Sequence, residues 1–204
     1  MSNFRTVIIL SSLIFLVSCG EENPSEEGRS NRGVTDDEII LGSFSDLSGP
    51  VAVWGVGSVN GARMRFAEVN EAGGVHGRQI RFVVEDTSYQ VPKAISAANK
   101  LINRDNVLAM LLGVGTPMNN ALMPTLFEAG VPNFFPISGG RQMDEPFHRF
   151  KFSQHGIYYD EARASVKYFM EQLGSEVPCV IHVDNDYGIE ILAGAKDQAE
   201  AMGT

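Results

Sequence analysis

Three short loops carry the groups best suited to hold a small molecule: Ser45-Asp46-Leu47-Ser48-Gly49-Pro50, Gly113-Val114-Gly115-Thr116-Pro117 and Ser138-Gly139-Gly140. All three are rich in small residues, so backbone N–H groups and hydroxyls can approach a ligand closely. Two of them lead into helix N-termini, where free N–H groups and the helix dipole favour a carboxylate or another anion. In any single loop a glycine also serves simply to make a tight turn. Three such loops on one edge point to binding. Trp54, the one tryptophan, follows Gly49-Pro50 closely in what reads as a loop. It suits the lid of a pocket for an apolar or aromatic group, or an indole packed over the sheet edge. Tyr187, within Asp184-Asn185-Asp186-Tyr187-Gly188, stands at another strand-to-helix junction, where ring and hydroxyl can both touch a solute. Tyr158 and Tyr159 lie near the crossing between the two halves and suit a hinge or a site.

Constellations for catalysis are weak. Gly113-x-Gly115 lacks the third glycine of a dinucleotide fingerprint, because Met118 stands in its place. There is no P-loop and no G-x-S-x-G elbow. The four histidines are isolated: His76 in a turn, His148 and His155 flanking a strand, His182 within one. None has a partner at ligand spacing, so they read as structural, and no metal or other cofactor is expected. Glu68, Glu71, Glu171 and Glu200 read as solvated charges on helix surfaces. An extracytoplasmic α/β enzyme is therefore the weakest of the functional readings.

The elements that must position these loops alternate in type. Ile39 to Phe44 reads as a strand, Val56 to Ala72 as a helix with Val59, Ala62, Phe66 and Val69 on one face, and Gln79 to Glu85 as a second strand. A helix over Pro92 to Ile102 buries Ala94, Ala97, Ala98 and Leu101, and Asn106 to Leu112 is a nearly continuous apolar strand. Asn119 or Asn120 is expected to cap the next helix, which runs to Ala129 with a kink at Pro124. Gly130 to Phe135 leads into a fourth strand, and Arg149 to Phe152 forms a short one. Asp160 to Leu173 reads as a helix with Ala162, Val166, Phe169 and Leu173 inward, Cys179 to Val183 as a buried strand, and Tyr187 to Met202 as a helix. Such alternation means an α/β fold, a doubly wound parallel sheet with right-handed crossovers and helices on both faces. In sheets of this kind ligands bind beyond the carboxyl ends of the strands.

The amino-terminal end is of a different texture. Arg5 and the apolar run Val7 to Val17 make a signal peptide over 1–18, the run being too short for the ~20 residues that span a bilayer. A cysteine directly after Leu16-Val17-Ser18 resembles bacterial lipoproteins, in which Cys19 would be diacylated and become the new amino terminus. Residues 20–33 hold no large apolar side chain, so 19–33 reads as an anchor and flexible tether. Loss of Arg5 with the signal takes the formal charge from -9 to -10. A chain so acidic, without clustered Lys and Arg, is not a nucleic-acid binder. With Cys19 lipidated, Cys179 has no disulfide partner and reads as a buried strand thiol.

Asp46 to Gly55, Asn60-Gly61-Ala62-Arg63 and Val69 to Arg78 resemble type I periplasmic binding proteins, and within them the leucine/isoleucine/valine-binding branch that serves branched-chain amino-acid ABC importers. Glu85-Asp86-Thr87, Gly113 to Met118 and Asp184 to Gly188 extend the likeness over nearly all of residues 34–204. The resemblance implies two doubly wound lobes closing on a solute, here a first lobe over 34–153 and the start of a second over 154–204, in a chain that looks truncated. It places Trp54 against the ligand side chain, Gly115, Thr116 and Pro117 beside its carboxylate, Ser138 and Gly140 along the pocket, and Tyr187 reaching in from the second lobe. In amino-acid binders the positions near Pro117 and Gly140 usually offer hydroxyls. Proline and glycine offer none, though Thr116 and Ser138 stand beside them. The Gly-Thr-Pro version resembles a subgroup whose solutes include aromatic and other organic acids.

The reading is thus a lipid-anchored, extracytoplasmic solute-binding component of an ABC importer, not an enzyme. It takes a branched-chain amino acid or a related organic or aromatic acid, with an inner-membrane ABC permease as partner. The alternative is a ligand-sensing extracellular module of a receptor, which uses the same fold.

Overall fold

A central strand that is buried along most of its length organises the computed structural model, which describes residues 32–204. The expected signal peptide, Cys19 and most of the tether lie outside the described residues. Arg32 and Gly33, placed at the tether's end by composition, are already fixed: the Arg32 guanidinium donates to the Ile102 carbonyl at 2.9 Å, and Gly33 accepts from Ile40 N at 2.7 Å.

Strand β1 (Glu38–Ser45) pairs in parallel with β2 (Gln79–Asp86) along its whole length and with β3 (Ala109–Leu111) on its other side. β4 (Asn133–Phe134) and β5 (Lys151–Phe152) complete a five-stranded parallel sheet in the order β2-β1-β3-β4-β5. Between them run α1 (Ala52–Glu71), α2 (Val91–Asn103) and α3 (Thr116–Glu128), and α4 (Tyr158–Leu173) and α5 (Asp186–Ala201) follow. The α/β class, the parallel sheet and its crossovers are as the periodicity predicts.

Alternation along the strands sends successive side chains to opposite faces. Ile40 and Phe44 of β1 meet Ala94, Ala97, Ala98 and Leu101 of α2 and Met118, Leu122 and Leu126 of α3 in one core, with Val107, Met110 and Val131. Gly42 belongs to this face: a Cβ there would lie 3.0 Å from Val107 Cγ1 and 3.1 Å from Met110 Sδ, so a side chain would push the core away. α1 covers the opposite face. Its Val59 is buried, Phe66 meets Phe82 of β2 edge to face at 5.3 Å, and the Asn70 amide bonds both Ile80 N and Ile80 O. A smaller cluster of Ala162, Val166 and Ala195 joins α4 to α5.

Several boundaries differ from the sequence reading. β3 begins at Ala109, not Asn106, because Asn106 takes a left-handed φ of 50° in the turn that leaves α2. α3 begins at Thr116, so neither Asn119 nor Asn120 caps it, and it runs past Pro124 to Glu128. The run from Cys179 to Val183 is not a strand, although its composition suits one. A parallel strand exists only through hydrogen bonds to a neighbour, and the described residues provide none there. Cys179 is accordingly exposed rather than buried, and His182 lies in irregular, exposed chain. On α4, Ala162 and Val166 face inward as expected, but Phe169 and Leu173 are 50% and 59% exposed, because no further layer covers that side among the described residues.

Leu101 is fully buried between helix and sheet. Leu101→Ala is expected to lower stability by about 2–5 kcal/mol, read as a shift in the urea midpoint. An unchanged midpoint would mean that α2 does not seal this core.

Candidate functional site

The carboxyl ends of the strands carry four loops, one more than the sequence reading singled out. After β1, the buried Asp46 carboxylate accepts from Gly49 N at 2.6 Å and Val51 N at 2.8 Å. That turn releases the chain into helix at Ala52, four residues earlier than the periodicity suggests. Trp54 therefore lies in the first turn of α1 and not in a loop. It is 64% exposed and shares no ring contact or side-chain hydrogen bond with the other candidate residues among those described.

After β3, Gly115 caps α3 at φ 100°, a conformation that L side chains rarely adopt. Thr116 and Pro117 form the first turn, where proline's missing N–H costs nothing. After β4, Ser138 places its hydroxyl 2.8 Å from that of Thr116 and accepts from Gly140 N at 3.3 Å. Thr116 and Ser138 are both buried. Gly140 also lies close: a Cβ there would stand 2.8 Å from Thr116 Cγ2. Gly115, Thr116, Pro117, Ser138 and Gly140 thus share one edge, at the positive end of the α3 dipole. In the Thr116–Ser138 pair one hydroxyl donates to the other, which leaves one O–H free for an acceptor.

Tyr187 approaches from the first turn of α5, which Asn185 caps by accepting from Gly188 N at 3.2 Å. Its ring meets Tyr158 at 5.0 Å, edge to face, and Tyr158 in turn lies against Gly139, 2.9 Å from where a Cβ would stand. Tyr187 therefore joins the cluster through Tyr158, whereas Trp54 makes no ring contact with either among the described residues.

The loop the sequence reading passed over follows β2. Ser88 and Tyr89 are consecutive left-handed residues with φ 47° and 55°, a strain of about 1–3 kcal/mol each. Asp86 holds them there by accepting from Ser88 N and Leu47 N at 2.9 Å, Ser48 Oγ at 2.5 Å and Ser88 Oγ at 3.3 Å. Desolvation opposes its ionised form, but these donors outweigh it and bring the carboxyl to about 2. The result is to lay the Tyr89 ring over Gly115, with Cε2 2.8 Å from a Cβ built there. Burial pushes the Tyr89 phenol up, with the neighbouring Tyr158, Tyr187, Asp46 and Asp186 adding to it; burial also raises Tyr158, against the opposing Gly139 amide. The strand-end rule that found the other loops applies equally to this one.

Asn119 serves a different purpose from the cap expected of it. Instead of capping a helix it is buried, with Nδ2 donating to Gly113 O at 3.0 Å and Gly115 O at 2.8 Å and Oδ1 accepting from Asn133 Nδ2 at 2.9 Å. It braces the loop after β3 against β4. Two surface hollows, of about 430 Å³ beside Lys93 and Lys100 and about 450 Å³ beside Arg141 and Pro146, contain none of the expected site residues.

Asn119→Ala would remove three hydrogen bonds and strand the Asn133 Nδ2, while Gly113 O and Gly115 O keep the backbone donors Ile137 N and Asn119 N. The cost is about 1–3 kcal/mol for the unsatisfied buried group; denaturant unfolding measures it, and no loss would contradict the bracing role. Asp86 contributes stability that is complete above the ordinary value of 3.8 and is lost as the pH falls to about 2. Asp86→Asn should accordingly be less stable than the parent at pH 6, with the difference closing by pH 2. A pH-independent difference would rule out this titration.

A family model described as periplasmic binding protein matches residues 38–204. The leucine-specific-binding protein of Salmonella typhimurium is 22% identical over 167 residues, which are 82% of this chain and 45% of that protein. The leucine-, isoleucine-, valine-, threonine- and alanine-binding protein of Pseudomonas aeruginosa is 24% identical over 176 residues, 86% of this chain and 47% of that one. Among solved structures, a fatty acid ABC transporter substrate-binding protein from Thermomonospora curvata superposes with a TM-score of 0.77 at 28% identity, over 86% of this chain and 44% of that one. A possible leucine/isoleucine/valine-binding protein from Rhodopirellula baltica SH 1 is alike in fold, with a TM-score of 0.74 at 18% identity, over 87% and 47% of the two chains. The chain thus spans less than half the length of each of these relatives.

Proposed function

The chain belongs to the periplasmic binding protein family, and on that premise we propose that it is the ligand-gathering part of an extracytoplasmic solute-binding component of an ABC importer. Its solute is a small carboxylate-bearing molecule, a branched-chain amino acid or a related organic or aromatic acid. One observation carries this reading: Gly115, Thr116, Ser138 and Gly140 converge at the N-terminus of α3, with the Thr116 and Ser138 hydroxyls 2.8 Å apart. Backbone N–H groups and a spare hydroxyl proton at the positive end of a helix suit a carboxylate, not a cation. Leucine and fatty acid, the ligands named for relatives, both carry that group.

Residues 34–153 form the first lobe in this reading and 154–204 the beginning of a second, from which Tyr187 reaches in. Capture is a population shift, in which contacts to both lobes favour the closed arrangement. Trp54 belongs to the same lobe as Thr116 and Ser138, and in this reading its exposed indole flanks the far end of the solute. The chain's chemistry is binding rather than catalysis, and its partner is an inner-membrane permease. Secretion and a lipid on Cys19 would hold it at the membrane surface; their support is the order of Arg5, the apolar run and Cys19 in the sequence.

Titration calorimetry on a polypeptide of the relatives' full length, with leucine, phenylalanine, an aromatic acid and a short fatty acid, tests the proposal. At least one acid should release heat and raise the melting temperature, and Ser138→Ala should weaken it by about tenfold or less, the worth of one hydrogen bond. No heat with any acid would contradict solute capture.

A further inference from the structure

Glu190 is a buried carboxylate that the site does not use. It lies on α5, 5% exposed, one turn beyond Tyr187 and on the same face. Its partners come from the short turn Arg141–Met143 that continues directly from Gly140. Arg141 donates to it through Nε at 2.8 Å, through Nη2 at 3.3 Å and through its backbone N at 3.4 Å, and Gln142 Nε2 donates at 2.9 Å. Burial would push the Glu190 carboxyl up, but these donors outweigh it and hold it below the usual range.

The guanidinium is held on its other side as well. It lies 4.1 Å from the ring centroid of Tyr159 on α4, and Tyr159 donates its hydroxyl to Asp197 of α5 at 2.5 Å. Gly194 of α5 comes so close to the Tyr159 carbonyl that a Cβ there would stand 2.1 Å away. Arg141 therefore contacts both helices of the α4–α5 pair at once. A further side-chain hydrogen bond from this pair to the sheet-bearing part, Asn120 to Asp186 at 2.7 Å, is exposed and competes with water.

A buried carboxylate away from its partners is costly, and a bidentate guanidinium fixes orientation as well as distance. Four hydrogen bonds from two successive residues of one turn leave α5 little freedom to rotate or slide against it. Because Tyr187 precedes Glu190 by three residues, whatever fixes Glu190 also fixes Tyr187. We propose that Glu190 is a positioning residue: with Arg141 and Gln142 it latches α5 onto the turn after β4, and so sets the reach of Tyr187 toward Ser138 and Gly140. The latch is a property of the chain itself and goes beyond the solute reading; its test uses no solute, so the two fail separately.

Trp54 and the exposed Cys179 lie on the two sides of the latch and supply a donor and a labelling site for energy transfer. In the full chain carrying Cys19→Ser, kept in mild detergent, an acceptor on Cys179 reports the placement of the α4–α5 pair. Glu190→Arg and Arg141→Glu should each change the transfer, with the docking equilibrium weakened roughly tenfold or more, and the charge-swapped double variant should restore it. Glu190→Gln, nearly isosteric, should shift transfer in the same direction as the single variants while far-UV circular dichroism stays native. Transfer unchanged in folded Glu190→Gln, or a lower melting temperature without any change in transfer, would make the pair a stabilising contact only and overturn the proposal.

Discussion

A buried amide must find hydrogen-bond partners, and where Asn119 finds them decides the shape of the whole strand-end edge. Its Nδ2 takes the carbonyls of Gly113 and Gly115, and its Oδ1 takes Asn133. Those contacts bind the loop after β3, the first turns of α3 and the start of β4 into one unit. The apolar core beneath, from Phe44 to Leu126, supplies the gross stability, but apolar packing is not directional. The placement of Thr116 opposite Ser138 needs directional bonds, and Asn119 is where they originate.

The edge built this way combines closeness with strain. Glycine at 115 accepts a left-handed backbone, while Ser88 and Tyr89 adopt one despite their side chains, held by the donors that surround Asp86. The ring of Tyr89 is thereby laid across Gly115 and that of Tyr158 across Gly139, so the aromatic surface closes down on bare backbone. Where glycines are covered by rings, a ligand that displaces or slides beneath a ring gains direct access to N–H groups. Local strain of this kind concentrates at binding sites. In this fold it falls at the sheet edge where α/β proteins bind their ligands.

The sequence made the sheet legible wherever apolar residues alternate or run together, as in β1, β2 and the Ala94 to Leu101 stripe of α2. It also made the small-residue loops legible, because three of them recur at strand ends on one edge. What could not be read depends on tertiary partners. Nothing local distinguishes Asn119 as a brace from Asn119 as a cap, since both uses employ the same amide. Trp54 fell in a helix because Asp46, five residues before Val51, ends the turn early through two backbone N–H groups. Cys179 to Val183 has strand composition but no neighbour to pair with among the described residues, and hydrogen-bonded pairing, not composition, makes a strand. Glu190 carries no local signal of its role, because its partner Arg141 stands 49 positions earlier and meets it only in the fold.

In the reading proposed above, a solute carboxylate sits at the N-terminus of α3, beside the Thr116–Ser138 pair. The most direct measurement is a crystal structure of the family-length polypeptide saturated with the acid that binds it best. Carboxylate oxygens are expected within ~3 Å of Thr116 or Ser138 hydroxyls or their neighbouring backbone N–H groups, with Tyr187 against the remainder of the solute. Electron density for the acid in a surface hollow beside Lys93 or Arg141, with no acid oxygen near the Thr116–Ser138 pair, would contradict it.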